Sequence, residues 1–355
     1  MNALLHATAF IERATTRAVH TGVAGTKPAP PTVGQVKPAP FAYLAPTTVA
    51  EAVQALAADP DAVALAGGQS LLPLLALRLA RPTLLVDVNG ALPSGIAPAG
   101  GEAAVRIGAL TRHSALEASE LLWARAPALA EAAGQIGCPA VRHRGTLGGS
   151  LAHADPAAEL PAVMVALDAT ITVEGAGGAR QVRAGELCVG FLTTCLRPGE
   201  LVTAVSVPVR ARTGSAWAEH GGRTGDVALC GIAARVTLAP DGRLDQVTIG
   251  GAGLASVPLA LHLGAAVVGG AGSPDEVLPV VGAALAAGAA PLADRRASPD
   301  ERRRLALGLA ADVLARAWQR AAPGAPDPAP PAALPAGVPA GVPAAVPAAA
   351  GRGRA

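Results

Sequence analysis

Ala66-Gly67-Gly68-Gln69-Ser70 and Gly145-Thr146-Leu147-Gly148-Gly149-Ser150 are the stretches on which the reading of this chain turns. Glycine lets the backbone take positive φ and removes the side chain that keeps a ligand at a distance. Successive amide N–H groups in such a bend can cradle an anion such as a pyrophosphate. Gln69, Ser70, Thr146 and Ser150 set amide or hydroxyl groups beside those backbones. The first pair follows a short apolar strand over 62–65 and precedes a helix predicted over 71–79, with Ser70 as its N-cap. Taken singly, either pair also reads as a tight turn and nothing more. Neither is a Walker A loop, because GxxxxGK[ST] is absent, and no GxGxxG joins a strand to a helix. A nucleotide held here needs another device.

Outward from these stretches the chain alternates short strands and helices. Thr48 and Glu51 stand at capping-box spacing and open a helix over 49–58. Strands are predicted over 83–88, 104–110, 169–174 and 201–207, with helical pattern leading to Ile136. From Ser215 the pattern restarts, with strand-like runs over 226–238 and 244–250. Two helices follow, announced by Ser273-Pro274-Asp275-Glu276 and Ser298-Pro299-Asp300-Glu301. Each offers a serine N-cap, a proline at the first helical position and an acid at the third. The expected division is a poorly ordered extension over 1–35, a first domain over 36–214, a smaller α+β domain over 215–322, and a disordered Pro/Ala tail over 323–355. The extension has no continuous apolar core and no twin arginine, so it reads as an extension or a misassigned start rather than a secretion signal.

Composition narrows the function. The 355 residues carry a net charge of only +2, which argues against a dedicated nucleic-acid binder. Three Trp, one Tyr and three Phe leave little for stacking platforms. Cys138, Cys188, Cys195 and Cys230 form no CxxC, and the seven His make no HExxH, so no metal site is expected. Four scattered cysteines suggest a reducing compartment, and we expect a cytoplasmic protein. Mean hydropathy is +0.40. The most apolar run, 277–293, owes this to small residues and is broken by Pro279 and Pro291, so it reads as a buried helix and not a membrane span.

The flanks of both glycine pairs carry a resemblance. The run from Ala66 through Pro73, and the run Val141-Arg142-His143-Arg144-Gly145-Thr146-Leu147-Gly148-Gly149-Ser150 continuing to Pro156, resemble the FAD subunit of molybdenum hydroxylases. These are the medium chains of aerobic carbon monoxide dehydrogenase and of bacterial xanthine dehydrogenase-type enzymes. The likeness spans about 37–320 and includes Gly222-Arg223-Thr224-Gly225-Asp226 and Gly250-Gly251-Ala252-Gly253. It implies an α+β fold: a p-cresol-methylhydroxylase-type FAD domain of two α/β subdomains, then the family's C-terminal flavoprotein domain. Carried over residue by residue, Leu65, Ala66, Gly67, Gly68, Gln69 and Ser70, with Thr146, Leu147, Gly148, Gly149 and Ser150, hold the FAD diphosphate and ribityl chain. Glu159 stands where the family usually has an aspartate that hydrogen-bonds the cofactor, and Leu201 falls near a position that packs on the flavin or adenine. Ala218 and Glu219 lie where a lysine is common, and Val227 where some relatives place an aromatic.

The resemblance implies a relay. A flavin can take electrons singly and release them as a pair. This chain therefore stands between iron–sulfur clusters of a small subunit and a final acceptor, with a molybdenum-cofactor large subunit completing a heterotrimer or its dimer. No catalytic acid or base is expected within it. Two other readings stay open on sequence: a self-sufficient FAD-dependent oxidase or dehydrogenase, and an interaction protein without cofactor. Arg142, His143 and Arg144 read equally as phosphate partners, a subunit contact or a solvated turn. Arg295, Arg296 and Arg302 to Arg304 read as exposed surface. Asp155 and Glu159, four apart, could share a helical face, although Asp155 before Pro156 reads more simply as an N-cap.

Overall fold

The capping box predicted at Thr48 is formed. Its hydroxyl accepts from Glu51 N at 3.2 Å while the Glu51 carboxylate accepts from Thr48 N, opening α1 (Val49–Ala58). This helix crosses between β1 (Ala42–Leu44) and β2 (Val63–Leu65). After the short helix α2 (Leu71–Ala76) comes β3 (Leu84–Asp87), which lies between the other two strands and parallel to both. The computed structural model describes residues 37–326 apart from Arg223 and Thr224, together with Pro328 and Ala329. The expected extension over 1–35 and most of the expected tail lie outside the described residues, as does the centre of the 222–226 motif.

Helix α2 ends earlier than its apolar pattern predicts. Arg78 takes φ 55°, and Leu79 N reaches back to Leu74 O at 2.8 Å, closing a left-handed cap.

A second, antiparallel sheet follows, built from β4 (Ile96–Ala99) and β5 (Ala104–Gly108), then β6 (Thr170–Gly175), β7 (Gly178–Arg183) and β10 (Leu201–Pro208), in the order β4-β5-β10-β6-β7. Six helices come between β5 and β6: α3 (His113–Glu117), α4 (Glu120–Arg125), α5 (Pro127–Gln135), α6 (Pro139–Arg144), α7 (Leu147–His153) and α8 (Glu159–Ala166). Every residue of α8 is buried, and it forms the centre of the main core with Leu129, Leu147, Leu151, Ile171 and Val205. A helical turn α9 (Ala184–Leu187) leads to a small ribbon, β8 (Cys188–Gly190) and β9 (Thr193–Thr194).

The last sheet is an antiparallel meander of β11 (Thr213–His220), β12 (Cys230–Leu238), β13 (Leu244–Ala252) and β14 (Leu259–Leu263). The one-turn helix α10 (Ala265–Val268) follows, then α11 (Pro274–Gly288) and α12 (Pro299–Ala321). Both serine caps predicted for these two helices bond the glutamate N–H at the third position. The apolar run predicted as a buried helix supplies α11, whose Val277, Val281 and Leu285 face a second core. Among the described residues no helix is long and apolar enough to cross a membrane.

Two packing features tie the helical layer to this meander. Gly250 on β13 lies so close to α8 that an added Cβ would strike the Ala162 carbonyl. Glu131 on α5 accepts from Arg316 at 2.9 Å and Arg320 at 2.6 Å, both on α12, and from the Trp217 backbone N at 2.7 Å. One member of the basic cluster read as surface is not at the surface. Arg302 is 5% exposed, donating to the Leu229 carbonyl and to Asp294 at 2.6 Å, because the turn before α12 and the start of β12 converge on it.

Candidate functional site

The two glycine pairs meet. An added Cβ on Gly67 would collide with the Arg144 carbonyl and lie 2.9 Å from Gly145 Cα, so the end of β2 passes directly against the segment that leads into α7. Gly149 faces the same junction, since its Cβ would approach Ala66 Cβ at 3.9 Å. Their backbones nevertheless do different work.

In the first pair the N–H groups of Gly67, Gly68, Gln69 and Ser70 have no acceptor among the described residues. Gly68 takes φ +73°, which a side chain rarely adopts. Gln69 Nε2 turns back to the Gly67 carbonyl at 3.2 Å. Ser70 occupies the N-cap place of α2 but with helical dihedrals and no side-chain cap bond, contrary to the capping role read from sequence. Its hydroxyl stays exposed beside the unengaged amides.

The second pair is not a loop. Gly148 and Gly149 form the first turn of α7, with Thr146 as N-cap accepting from Gly149 N at 3.2 Å. Leu147 N donates to Thr111 O at 3.0 Å and Gly148 N to Ala109 O at 2.8 Å, so these amides are engaged within the fold. Gly148 is required there by close approach, because its Cβ would stand 2.7 Å from Ala109 Cβ. Ser150 is half-buried on the same helix.

Asn89 and Arg112 hold the two segments in place, and no sequence pattern singled them out. Asn89 Nδ2 donates to Ala66 O at 2.9 Å and to Asp87 at 2.7 Å, while its Oδ1 accepts from Arg112 at 2.8 Å. Arg112 also donates to Arg144 O at 2.6 Å. Asp87 is partly desolvated, but hydrogen bonds from Tyr43 and Asn89 and the Arg144 charge outweigh this and hold its carboxyl below the usual value. A cavity of about 560 Å³ opens beside Asn89 and Arg112, walled by Leu92, Ser94, Ile96 and Thr111.

His113 packs under Gly145, whose added Cβ would lie 2.7 Å from ring atoms Cε1 and Nδ1. Neither ring nitrogen has a hydrogen-bond partner among the described residues. Burial pushes its pKa down to about 4, aided by the Arg112 and Arg142 charges, while the Thr146 backbone pulls the other way. In the basic triplet, Arg142 is a structural group, bonded to Glu117 at 2.8 Å and to the Ile136 and Gly137 carbonyls. His143 and Arg144 are exposed.

Glu159 is the first residue of α8 and is 7% exposed. Burial pushes its carboxyl up to about 8, and the neighbouring Glu219 and Asp155 push the same way, while its own backbone N–H pulls against them. Asp155 does not cap the helix. Its carboxylate accepts from Ala157 N at 2.9 Å in a turn, Ala158 takes the cap position, and so Asp155 and Glu159 do not share a helical face. Leu201 begins β10 and is buried in a small core with Val53, Val86 and Leu110. It also lines a cavity of about 80 Å³ with Leu56 and Ala152. Val227 is 51% exposed.

Comparison with known proteins agrees with this architecture. Residues 39–210 match the model of the FAD binding domain in molybdopterin dehydrogenase, and residues 216–317 that of the CO dehydrogenase flavoprotein C-terminal domain. The alpha subunit of the 6-hydroxypseudooxynicotine dehydrogenase complex of Paenarthrobacter nicotinovorans is 43% identical over 60% of this chain and 73% of its own length. The carbon monoxide dehydrogenase medium chain of Hydrogenophaga pseudoflava is 42% identical over 55% of this chain and 69% of its own. In solved structures, carbon monoxide dehydrogenase from that organism superposes with a TM-score of 0.74 at 37% identity, covering 80% of this chain and 99% of that one. Quinoline 2-oxidoreductase from Pseudomonas putida 86 gives 0.73 at 33% identity over the same shares. An FAD-binding oxidoreductase subunit, the chain belongs to the family of medium, FAD-carrying subunits of molybdenum hydroxylase-type complexes, of which carbon monoxide dehydrogenase is one.

Proposed function

We propose that the chain relays electrons within such a complex, taking them from iron–sulfur clusters of a small partner subunit and passing them to a final acceptor. A large subunit with the molybdenum cofactor completes a heterotrimer or its dimer. Bound FAD supplies the capacity to take electrons one at a time and to give them up as a pair. The residues present fit that group. Gly67 and Gly68 leave no side chain in the way, and four consecutive N–H groups, from Gly67 to Ser70, stand without protein acceptors beside α7. That row of amides is the observation that carries the reading.

In this reading Gly67, Gly68, Gln69 and Ser70 donate to the diphosphate, with Leu65 and Ala66 shaping the approach. Thr146, Leu147, Gly148, Gly149 and Ser150 form the opposite wall, where the absence of side chains on the glycines and the Ser150 hydroxyl matter more than the amides. Glu159 contacts the cofactor, and Leu201 packs on its flavin or adenine. Asn89 and Arg112 are positioning residues that fix the distance between the two segments. The cofactor domain is proposed to span 36–214 and the flavoprotein domain 215–322, in a cytoplasmic complex.

The test is purification of the chain from its native source. Co-elution with an iron–sulfur subunit and a molybdenum subunit, and a flavin-to-protein ratio near one, is the expected result. A flavin-loaded single chain that turns over a substrate unaided overturns the relay.

A further inference from the structure

The small parallel sheet at the N-terminus has two faces, and only one is well covered. Helix α1 packs on the face that holds Leu84, Val86 and Val88, in a core with Ala52 and Val53. The connection β1–α1–β2 crosses the sheet one way and β2–α2–β3 crosses back, so right-handed crossovers set α2 on the opposite face. Leu85 and Asp87 alternate with the residues that face α1 and so point to the side of α2. Tyr43 is in register with Leu85, and its hydroxyl donates to Asp87 at 2.6 Å. Tyr43 therefore shares that side, as does Phe41 two residues before it.

This second face is left open. Leu75 is the only buried residue of α2. Leu72 on the helix, Leu77 and Leu79 just beyond it, Phe41 and Tyr43 are 36–68% exposed. Arg78 Nε donates to the Lys37 carbonyl at 3.0 Å, which holds the end of α2 beside the segment entering β1 and makes the five side chains one patch. So much large apolar surface gathered on so small a unit marks a face that another molecule covers.

Two features say which molecule. The first is charge. Lys37, Arg78 and Arg81 border the patch and make no ion pair among the described residues. The carboxylates of Glu51, Asp59 and Asp87 are engaged by Thr47, Thr83 and Tyr43. An occupant that matches this rim brings acids of its own. The second is position. Leu72 stands 3.0 Å from the Cβ that Gly68 lacks, so the patch begins at the row of free amides. Electrons pass between two centres only over short distances, and the subunit that hands them over has to sit beside the cofactor. Pro38, Pro40 and Pro46 bracket β1, whose three residues leave little edge for strand pairing, so the occupant binds through side chains.

We propose that the patch of Phe41, Tyr43, Leu72, Leu77 and Leu79, rimmed by Lys37, Arg78 and Arg81, is the docking face of the iron–sulfur small subunit, which meets it with an apolar centre and an acidic rim. This rests on the relay reading above and deepens it by assigning the face across which electrons enter.

The experiment titrates the full-length, flavin-loaded chain with the small subunit separated from the native complex. Leu77→Glu is expected to weaken binding about tenfold or more, at unchanged flavin content and thermal midpoint. Arg81→Glu is expected to weaken it about threefold at low salt and to flatten its salt dependence. Val267→Glu, at an exposed position on α10, leaves the affinity as it was. Hydroxyl-radical footprinting is expected to find the five side chains reactive in the isolated chain and protected once the small subunit is added. Protection by the large subunit alone gives the face another occupant and overturns the proposal. Self-association of the wild type that Leu77→Glu abolishes does the same, as does a patch protected in the isolated chain until residues 1–36 are removed. A small subunit that binds every variant equally well also overturns it. A wild-type chain that purifies without any iron–sulfur subunit defeats the relay reading itself, and the wild-type titration keeps that outcome apart from the others.

Discussion

At the scale of single residues the structure offers two sharp handles. Gly67 sits where any Cβ meets the Arg144 carbonyl, which is backbone and cannot swing aside. Gly67→Ala is expected to push the end of β2 away from α7, with FAD content falling at least tenfold and stability by about 1–3 kcal/mol, the usual scale for overpacking. The flavin-to-protein ratio and the thermal midpoint check both. His113 is the second handle. Its folded pKa of about 4 lies below the ordinary 6.5, so between those values the unfolded chain binds a proton that the folded chain refuses. Stability is therefore lost as pH falls from about 6.5 to about 4, by roughly 3 kcal/mol over the window, and changes no further below it on this account. Denaturant titrations of the wild type and of His113→Gln across that range test the sign. The variant is expected to lose this portion of the slope, and an unchanged slope would mean that the imidazole is not the group responsible.

At the scale of elements, the serines and threonines before helices look alike in sequence and differ in the fold. Thr146 caps α7 through a bond to Gly149 N, whereas Ser70 makes no cap bond at all. Thr146→Ala is expected to cost about 1 kcal/mol of stability, the typical loss of an N-cap. Ser70→Ala is expected to leave the melting temperature unchanged and to weaken FAD binding instead. A melt and a binding isotherm for each variant separate the roles, and a destabilised Ser70→Ala would contradict this division. The contrast also marks what could be read in advance. Helix starts at Thr48, Ser273 and Ser298 follow from local chemistry three residues long, and they form as the spacing predicts. Whether a glycine amide is free or engaged is not local. Gly148 N is taken by Ala109 O and Leu147 N by Thr111 O, acceptors supplied from the end of β5, so two motifs that look equivalent end as one open row and one closed helix turn. Asn89 and Arg112 left no signature either, since a lone amide and a lone guanidinium become a brace only when four separate segments meet. The arginine cluster around 302 misled for the same reason: the Leu229 carbonyl that receives Arg302 lies 73 residues away in the chain, and only the fold brings it against the turn that carries Asp294.

At the scale of the whole molecule, Glu131 is the main polar link between the helical layer and the C-terminal meander. It is 11% exposed at the side chain and receives two guanidinium groups of α12 together with the Trp217 N–H. Glu131→Ala leaves those donors facing each other and is expected to cost about 2–4 kcal/mol. Calorimetry should then resolve two transitions where the parent shows one, and a single unshifted endotherm would show that apolar packing alone couples the halves. The N-terminal βαβ unit stands apart from that linkage. Its private core is a handful of small residues, Ala52, Val53, Ala62, Val86 and Val88, completed by Leu110 and Leu201 from the neighbouring sheet. A unit so thinly packed opens more readily than the rest. On the proposed site, a cofactor seated between Gly67 and α7 clasps that unit to its neighbour, so by mass action added FAD is expected to slow the cutting of this unit in limited proteolysis.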